Sequence, residues 1–315
     1  MWHKLQQLEV GEVHYNKIMI MESRLTPQFK IKVIEAIKVA RSNYGGSNKA
    51  FSKIIDLNEG IISNILTDKE LEGKISDANY LRIGQMLNVR MNEKPWKIVR
   101  TLVYNEMEDN LAYCKDTSSS MMFVDDKGIG KTECAKHIIS KMKNAFYIDC
   151  SQCKSKNAFI RTLAKTIGLE PKGKYYEILE SIKYYLLILD KPLIVLDEFG
   201  DLDYNSFLEI KALQNATPKQ CAWYAIGAEG LRKKMERGIE NQKIGFVECF
   251  SRFGEDFIKM VPTGHENRQS FYEQLTTSVA KGQIEDSAKI RRYVNKCVKG
   301  DYSLRKLRDL IEMND

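Results

Sequence analysis

No apolar run in this 315-residue chain approaches 18 residues, and its N-terminus lacks the apolar stretch of a signal peptide. Neither a membrane span nor a secretory route is expected. Histidine is scarce, four in all and far apart, which removes most of the ligands a zinc site needs. The seven cysteines are odd in number and scattered, so they make no disulfide framework. Cys150 and Cys153 form a lone C-x-x-C without further partners. Ordinary thiols in a reducing cytoplasm are the expectation. A polybasic tail is missing too. The net charge of +7 comes from 49 Lys and Arg against 42 Asp and Glu, and the excess is spread along the chain. Nucleic-acid binding is therefore permitted but not demanded. Internal repeats and low-complexity tracts are also absent. What is present, with 43% hydrophobic residues, is enough to build the cores of two or three domains.

The most informative segment runs from Met122 to Thr132. An apolar run, Met122-Phe123-Val124, reads as a strand and feeds a loop ending Gly128-Ile129-Gly130-Lys131-Thr132, with a helical pattern following from Glu133. Backbone N–H groups of such a loop, and of the helix N-terminus behind it, point at phosphate oxygens. Lys131 would neutralise the β and γ oxygens, and the Thr132 hydroxyl would hold Mg2+. In the G-x-x-x-x-G-K-[ST] pattern the first glycine falls at Asp125. Aspartate tolerates left-handed backbone better than most residues, so the turn is expected to survive. The Asp125 and Asp126 carboxylates nevertheless put negative charge near the phosphates.

A second motif, Pro192-Leu-Ile-Val-Leu-Asp197-Glu198, lies about sixty-five residues downstream. Apolar residues ending in an acidic pair read as a buried parallel strand with carboxylates at its C-terminal tip, where α/β sheets bind ligands. Asp197 would belong to the Mg2+ shell, and Glu198 would polarise an attacking water. The two motifs in this order predict binding of ATP or GTP.

Periodicity divides the chain. Residues 1–25 show no pattern and read as an irregular segment. Residues 26–94 read as an all-helical unit, with helices over 27–43, 49–55, 59–66 and 77–87 and caps at Ser47 and Ser76. The turn at 56–58 makes the middle pair a helix-turn-helix, in which outward-facing Ser63 and Asn64 would meet phosphates and base edges. Residues 95–110 read as a connector. Residues 111–261 alternate strands (121–124, 145–149, 193–197, 222–226) with helices (132–143, 156–167, 174–189, 205–215), which predicts an α/β fold with a parallel sheet covered by helices on both faces. Beyond Pro262, residues 262–315 carry three helical patterns (266–280, 286–298, 304–312) and read as a small α-helical lid.

The loop, the acidic strand end, the lid and the helix-turn-helix in front resemble the AAA+ ATPases of transposition, phage Mu transposition protein B and its relatives. Finer points of likeness are Ala225-Ile226-Gly227 with Leu231-Arg232, Phe250-Ser251-Arg252-Phe253-Gly254, and Gly300-Asp301-Tyr302-Ser303-Leu304-Arg305. The resemblance implies ATP and Mg2+ as cofactors and ATP hydrolysis as the reaction. It makes Arg252 an arginine finger reaching a neighbouring subunit's γ-phosphate, with Arg237 as a rival. Arg305 becomes the lid arginine that closes over nucleotide. The position near Ala228 and Glu229, which in such proteins carries Asn, Ser or Thr, has no such residue, so slow hydrolysis is expected. The implied partners are double-stranded DNA, a transposase and further copies of the chain in a ring or helical filament. Largely non-specific DNA contact would come from Lys154, Lys156, Arg232, Lys233 and Lys234, which follow strand ends. Three other readings stay open: a replication-initiator-like loader, a transcription regulator gated by nucleotide, and a nucleotide-binding scaffold without turnover.

Overall fold

A computed structural model describes residues 25–71, 73–87, 89, 96–300 and 303–313. Nearly all of the 1–25 segment, together with Asp301 and Tyr302, lies outside the described residues. The chain divides into two compact units, Met1–Ser42 with Ser47–Lys94 and Asn43–Gly46 with Pro95–Asp315.

The first unit is helical among its described residues: α1 (Pro27–Asn43), α2 (Asn48–Ile55), α3 (Glu59–Leu66) and α4 (Asp77–Met86). Its helix starts follow from side-chain caps. Ser47 Oγ accepts the amide of Ala50 at 3.1 Å, Asn58 Oδ1 that of Gly60 at 2.8 Å, and Ser76 Oγ that of Asn79 at 3.3 Å, each satisfying an amide the helix leaves free. Asp56 ends α2 in the left-handed region at φ 50°. Leu57 is buried in the turn, and Phe29, Val33, Ile37, Phe51, Ile55, Ile62, Ile65, Tyr80 and Ile83 are the other buried apolar residues of α1–α4.

The second unit is a five-stranded parallel sheet with helices on both faces. In chain order it comprises α5 (Leu102–Thr117), β1 (Met121–Val124), α6 (Lys131–Ile139), β2 (Ala145–Asp149), α7 (Lys156–Ile167), α8 (Tyr175–Ile188), β3 (Leu193–Asp197), α9 (Tyr204–Ala216), β4 (Ala222–Gly227), α10 (Glu229–Glu240), α11 (Phe246–Arg252), β5 (Phe257–Ile258), α12 (His265–Gln283), α13 (Ser287–Lys299) and α14 (Leu304–Glu312). Short 3-10 turns follow β2 (Cys150–Gln152) and β3 (Phe199–Asp201). The strand order is β2-β3-β4-β1-β5, every pairing is parallel, and Asp149 stands beside Asp197. Alternation along the strands feeds two cores. Met122, Val124, Ile194, Leu196 and Trp223 enter the one shared with α7 to α11. Phe123, Leu193, Val195, Tyr224 and Ile226 enter the one shared with α5, α6 and α12. The ends of α12, α13 and α14 close a third, smaller core around Val279, Tyr293, Cys297 and Leu307.

Three expectations need correction. The 95–110 stretch is not connector throughout: α5 begins at Leu102, capped by Thr101 Oγ1 on the Tyr104 amide at 3.2 Å, and buries Val103, Tyr104, Met107, Leu111 and Cys114. Those residues are interleaved with Asn105, Glu106, Glu108 and Asp109, so the apolar face emerges only against the sheet. The strand β5 has two residues, too few to show a period, and exists through its pairing with β1. Helix α6 stops at Ile139 rather than at 143, because Lys141 and Met142 donate to Ile138 and Ile139 in a tightened last turn. No helix among the described residues is long and apolar enough to cross a membrane.

Candidate nucleotide-binding site

Because β4 separates β1 from β3, the loop after β1 and the acids ending β3 converge over the end of β4, on the edge where parallel sheets open a crevice. A cavity of about 310 Å3 lies there, lined by residues 127–134, Asp197, Glu198, Gly227 and Ala228, and on the far side by 96–99, Val279, Leu304, Arg305 and Arg308. A volume of this order holds a small organic ligand.

The loop is shaped by Gly128 and Gly130, at φ 74° and 99°. At Gly128 a β-carbon would also sit 2.5 Å from Ser303 Oγ, and its carbonyl accepts the Leu304 amide at 2.9 Å. The start of α14 thus seats directly on the loop. The backbone N–H groups of residues 128–132 donate to no acceptor among the described residues, leaving a row of donors at the start of α6.

Both acids expected to trouble the phosphates are turned elsewhere. Asp125 is buried at 3% exposure and does not adopt the left-handed backbone expected of it. Its Oδ2 accepts the amides of Met260 and Val261 at 2.7 and 3.0 Å, and its Oδ1 that of Asp126 at 2.8 Å. Asp126 pairs with Arg268 on α12 and accepts the Tyr272 hydroxyl at 2.5 Å. A residue in the glycine position of the motif therefore anchors the loop to the chain leaving β5.

Lys131 folds back onto the loop, its Nζ donating to the carbonyls of Asp125 and Asp126 at 2.7 and 2.5 Å. Burial lowers its pKa, and Asp125, Glu198, Asp197 and Asp126 act in the opposite sense. Asp197 is buried and fully engaged. Its Oδ2 accepts the Thr132 hydroxyl at 2.8 Å and the Tyr147 hydroxyl at 2.6 Å, and its Oδ1 accepts the Glu198 amide at 3.0 Å. Glu198 sits in the left-handed region at φ 49°, a conformation costing a non-glycine residue on the order of 1 kcal/mol and concentrated at functional positions. Its carboxyl is held above the usual range, first by desolvation, then by Asp197 and Asp201.

No group of three or more His, Cys, Asp or Glu among the described residues could hold a metal by itself. One hydroxyl and one carboxylate beside a row of free amides is the donor set that suits Mg2+ shared with phosphate oxygens and water. The residues present thus fit a magnesium–triphosphate complex.

Other expected residues fall in different places. Glu133 lines the cleft, as does Arg305 at the first turn of α14. Arg308, one turn on, lies 5.6 Å over the Trp96 ring and joins Arg305 as a cleft arginine. Arg252 is exposed at the end of α11, does not line the cleft and makes no ion pair among the described residues. Ser63 is exposed and Asn64 half-buried on α3. The basic strand-end residues are largely engaged within the chain. Lys234 donates to the carbonyls of Gly200 and Leu202, Lys156 pairs with Glu209 at 2.8 Å, Lys154 with Asp201 at 2.9 Å, and Arg232 lies over Phe257. Lys233 is exposed and makes no ion pair or hydrogen bond among the described residues. Lys234 in particular is an internal tether and not an available phosphate contact.

Sequence reasoning missed Tyr147 and the apolar wall of Trp96, Ile98, Val99, Val279 and Leu304. Tyr147 alternates onto the face of β2 from which its hydroxyl reaches Asp197, a signal visible only once β2 is placed beside β3. Trp96, one of three tryptophans, was the available hint to the wall.

Residues 114–235, which carry the loop and the acidic strand, match the family model described as AAA domain. A search of curated proteins returns no match. Solved structures similar to the chain include the Aeropyrum pernix ORC1 protein in complex with DNA, 15% identical with a TM-score of 0.49 over 68% of this chain and 58% of that one. The Aeropyrum pernix ORC2 protein in ADPNP–ADP complexes is 12% identical with a TM-score of 0.44, over 72% and 71%. Hsp104 with ATPγS and FITC casein, in a closed state, is 11% identical with a TM-score of 0.38, over 91% and 61%. This chain therefore spans less than two thirds of the ORC1 and Hsp104 chains.

Proposed function

We infer that the chain is a slow ATPase whose nucleotide state governs its assembly on duplex DNA, and that it serves transposition by selecting target DNA and recruiting or activating a transposase. The observation that carries this reading is the meeting of Thr132 with Asp197 at 2.8 Å beneath a row of unengaged amides. The amides of 128–132 and Lys131 bind phosphate oxygens, Thr132 and Asp197 hold the metal's shell, and Tyr147 fixes the Asp197 carboxylate. Glu198 takes the proton of the attacking water. When bound, magnesium–ATP supplies the labile anhydride and the metal's charge. The end of β4 offers only Gly227 and Ala228, with no side-chain donor to orient that water, which suits slow turnover. Arg252 is exposed and does not line its own cleft, a placement that suits completing a neighbour's. The helical N-terminal unit, with Ser63 on its surface, is a second candidate contact to DNA.

Electron microscopy with ATP and random-sequence duplex tests this. Filaments or rings on any duplex are expected, lost when nucleotide is withheld or when Arg252 is changed to Ala. A single footprint at one operator would instead make the chain a transcription regulator, and delivery of a second protein without DNA coverage would make it a loader.

A further inference from the structure

Helix α13 carries Lys289, Arg291, Arg292, Lys296 and Lys299 and no acidic residue. All five are exposed, and none of their side chains makes an ion pair or hydrogen bond among the described residues. Basic residues elsewhere in this unit meet carboxylates: Lys211 pairs with Glu248, Lys183 with Glu180 and Arg268 with Asp126. Four of the five fall at i, i+3, i+7 and i+10, which sets them in one stripe along the helix. Ten residues at about 1.5 Å each give it a length of roughly 15 Å. Lys306 on α14 is exposed as well. Among the described residues, acids stand at the margins: Glu285 and Asp286 precede the helix, where Asp286 Oδ1 caps the amides of Ala288 and Lys289 at 2.8 and 3.2 Å, and Asp309 is exposed on α14.

The rest of α13 decides what such a stripe can meet. Ile290, Tyr293, Val294, Cys297 and Val298 are buried in the lid core. The helix therefore has no apolar face to give to a bilayer, as an interfacial helix must. A row of cations on one helix face, paired with no carboxylate among the described residues, matches a polyanion with closely spaced fixed charges; duplex DNA carries one per about 1.7 Å of axis.

We propose that the exposed face of α13 grips the phosphate backbone of duplex DNA, a proposal that rests on the reading of the chain as a nucleotide-governed DNA binder. The same lid reaches the nucleotide cleft. Leu304, Arg305 and Arg308 of α14 line the cleft, while Leu307 and Ile311 of α14 share the core with α13. Contacts to nucleotide and to DNA thus sit on one packed three-helix body, which gives DNA affinity a route to depend on the cleft. The sequence hid this face because the basic residues are interleaved with the apolar ones and form no run.

The test is equilibrium binding of a random-sequence duplex of about 30 base pairs by the full chain, with a non-hydrolysable ATP analogue, across a salt series. Replacing Lys289, Arg292 and Lys296 together with Gln is expected to flatten the log Kd against log salt slope by about three and to weaken binding at least roughly tenfold at moderate salt. Affinity for the ATP analogue should stay unchanged. A control triple, Lys165, Lys172 and Lys219 to Gln, removes the same charge from other exposed positions and should keep the wild-type slope. An unchanged slope in the stripe variant, equal flattening in both triples, or stripe-dependent binding to anionic vesicles but not to duplex overturns the proposal. Failure of the wild-type chain to bind any duplex at low salt overturns instead the DNA-binding reading beneath it.

Discussion

Replacing Glu198 with Gln is expected to lower ATP turnover by roughly 10²–10⁴-fold, the usual contribution of a positioned general base, while leaving nucleotide affinity within a few-fold of wild type. The reasons are geometric. Glu198 follows the buried Asp197 and lines the cleft without a hydrogen-bond partner for its carboxylate among the described residues. Its contribution is the basic oxygen and not a fold contact, and Gln keeps its shape without its basicity. The left-handed backbone at 198 is occupied equally by either residue, so stability should hardly change. The pH profile gives an independent sign. The Glu198 carboxyl is raised by desolvation and by Asp197 and Asp201, so the active, deprotonated form is lost as pH falls through a value above the ordinary carboxylate figure of about 4.3. The acid limb of kcat/KM, which reports the nucleotide-free protein, should lie above that figure in the wild type and disappear in the residual activity of the variant. Single-turnover rates across pH check both points. A variant that hydrolyses ATP at the wild-type rate would remove Glu198 from the chemistry.

Restoring the glycine that the phosphate-loop pattern calls for, by Asp125→Gly, should damage the protein. Asp125 is buried, and its Oδ2 holds the amides of Met260 and Val261. Removing the acceptor orphans the buried amide of Val261 and the part-buried amide of Met260, at about 1–3 kcal/mol for a buried donor. A loss of about 3 kcal/mol is therefore expected, and at about 2–4 °C per kcal/mol for a unit of this size Tm should fall by roughly 6–12 °C. Asn at this position should recover much of the loss, because its amide oxygen can accept both the Met260 and Val261 amides and only the bond from the Asp126 amide is forfeited. Nucleotide affinity should not improve, since the carboxylate already faces away from the phosphate side of the loop. Thermal unfolding of both variants tests this. An undiminished Tm with tighter ATP binding would mean that Asp125 is the electrostatic burden its position in the motif suggests.

That reversal shows where the sequence was legible and where it was not. The strands β1, β2 and β3 fall where their apolar runs end, because a parallel strand buried on both faces advertises itself without neighbours. Helices α1, α3 and α14 also keep their expected bounds, since caps and apolar spacing are local. The loop, Lys131, Thr132, Asp197 and Glu198 are read from two short motifs, and the fold brings them together. What a motif cannot carry is the direction of a side chain whose partner lies more than a hundred residues away. Asp125 meets Val261 and Asp126 meets Tyr272 across such distances, and Tyr147 meets Asp197 across fifty. For the same reason Lys234, read as a surface phosphate contact, proves to be folded onto Gly200 and Leu202, while the cations of α13 are interleaved with apolar residues and form no run.

Everything functional depends on the cleft accepting a purine triphosphate with magnesium, and equilibrium binding by calorimetry measures that directly. One nucleotide per chain should bind in the presence of Mg2+, and Lys131→Ala should weaken it by about 3 kcal/mol, on the order of a hundredfold in Kd. No uptake of ATP or GTP at millimolar concentration, or uptake indifferent to Lys131, would contradict the account.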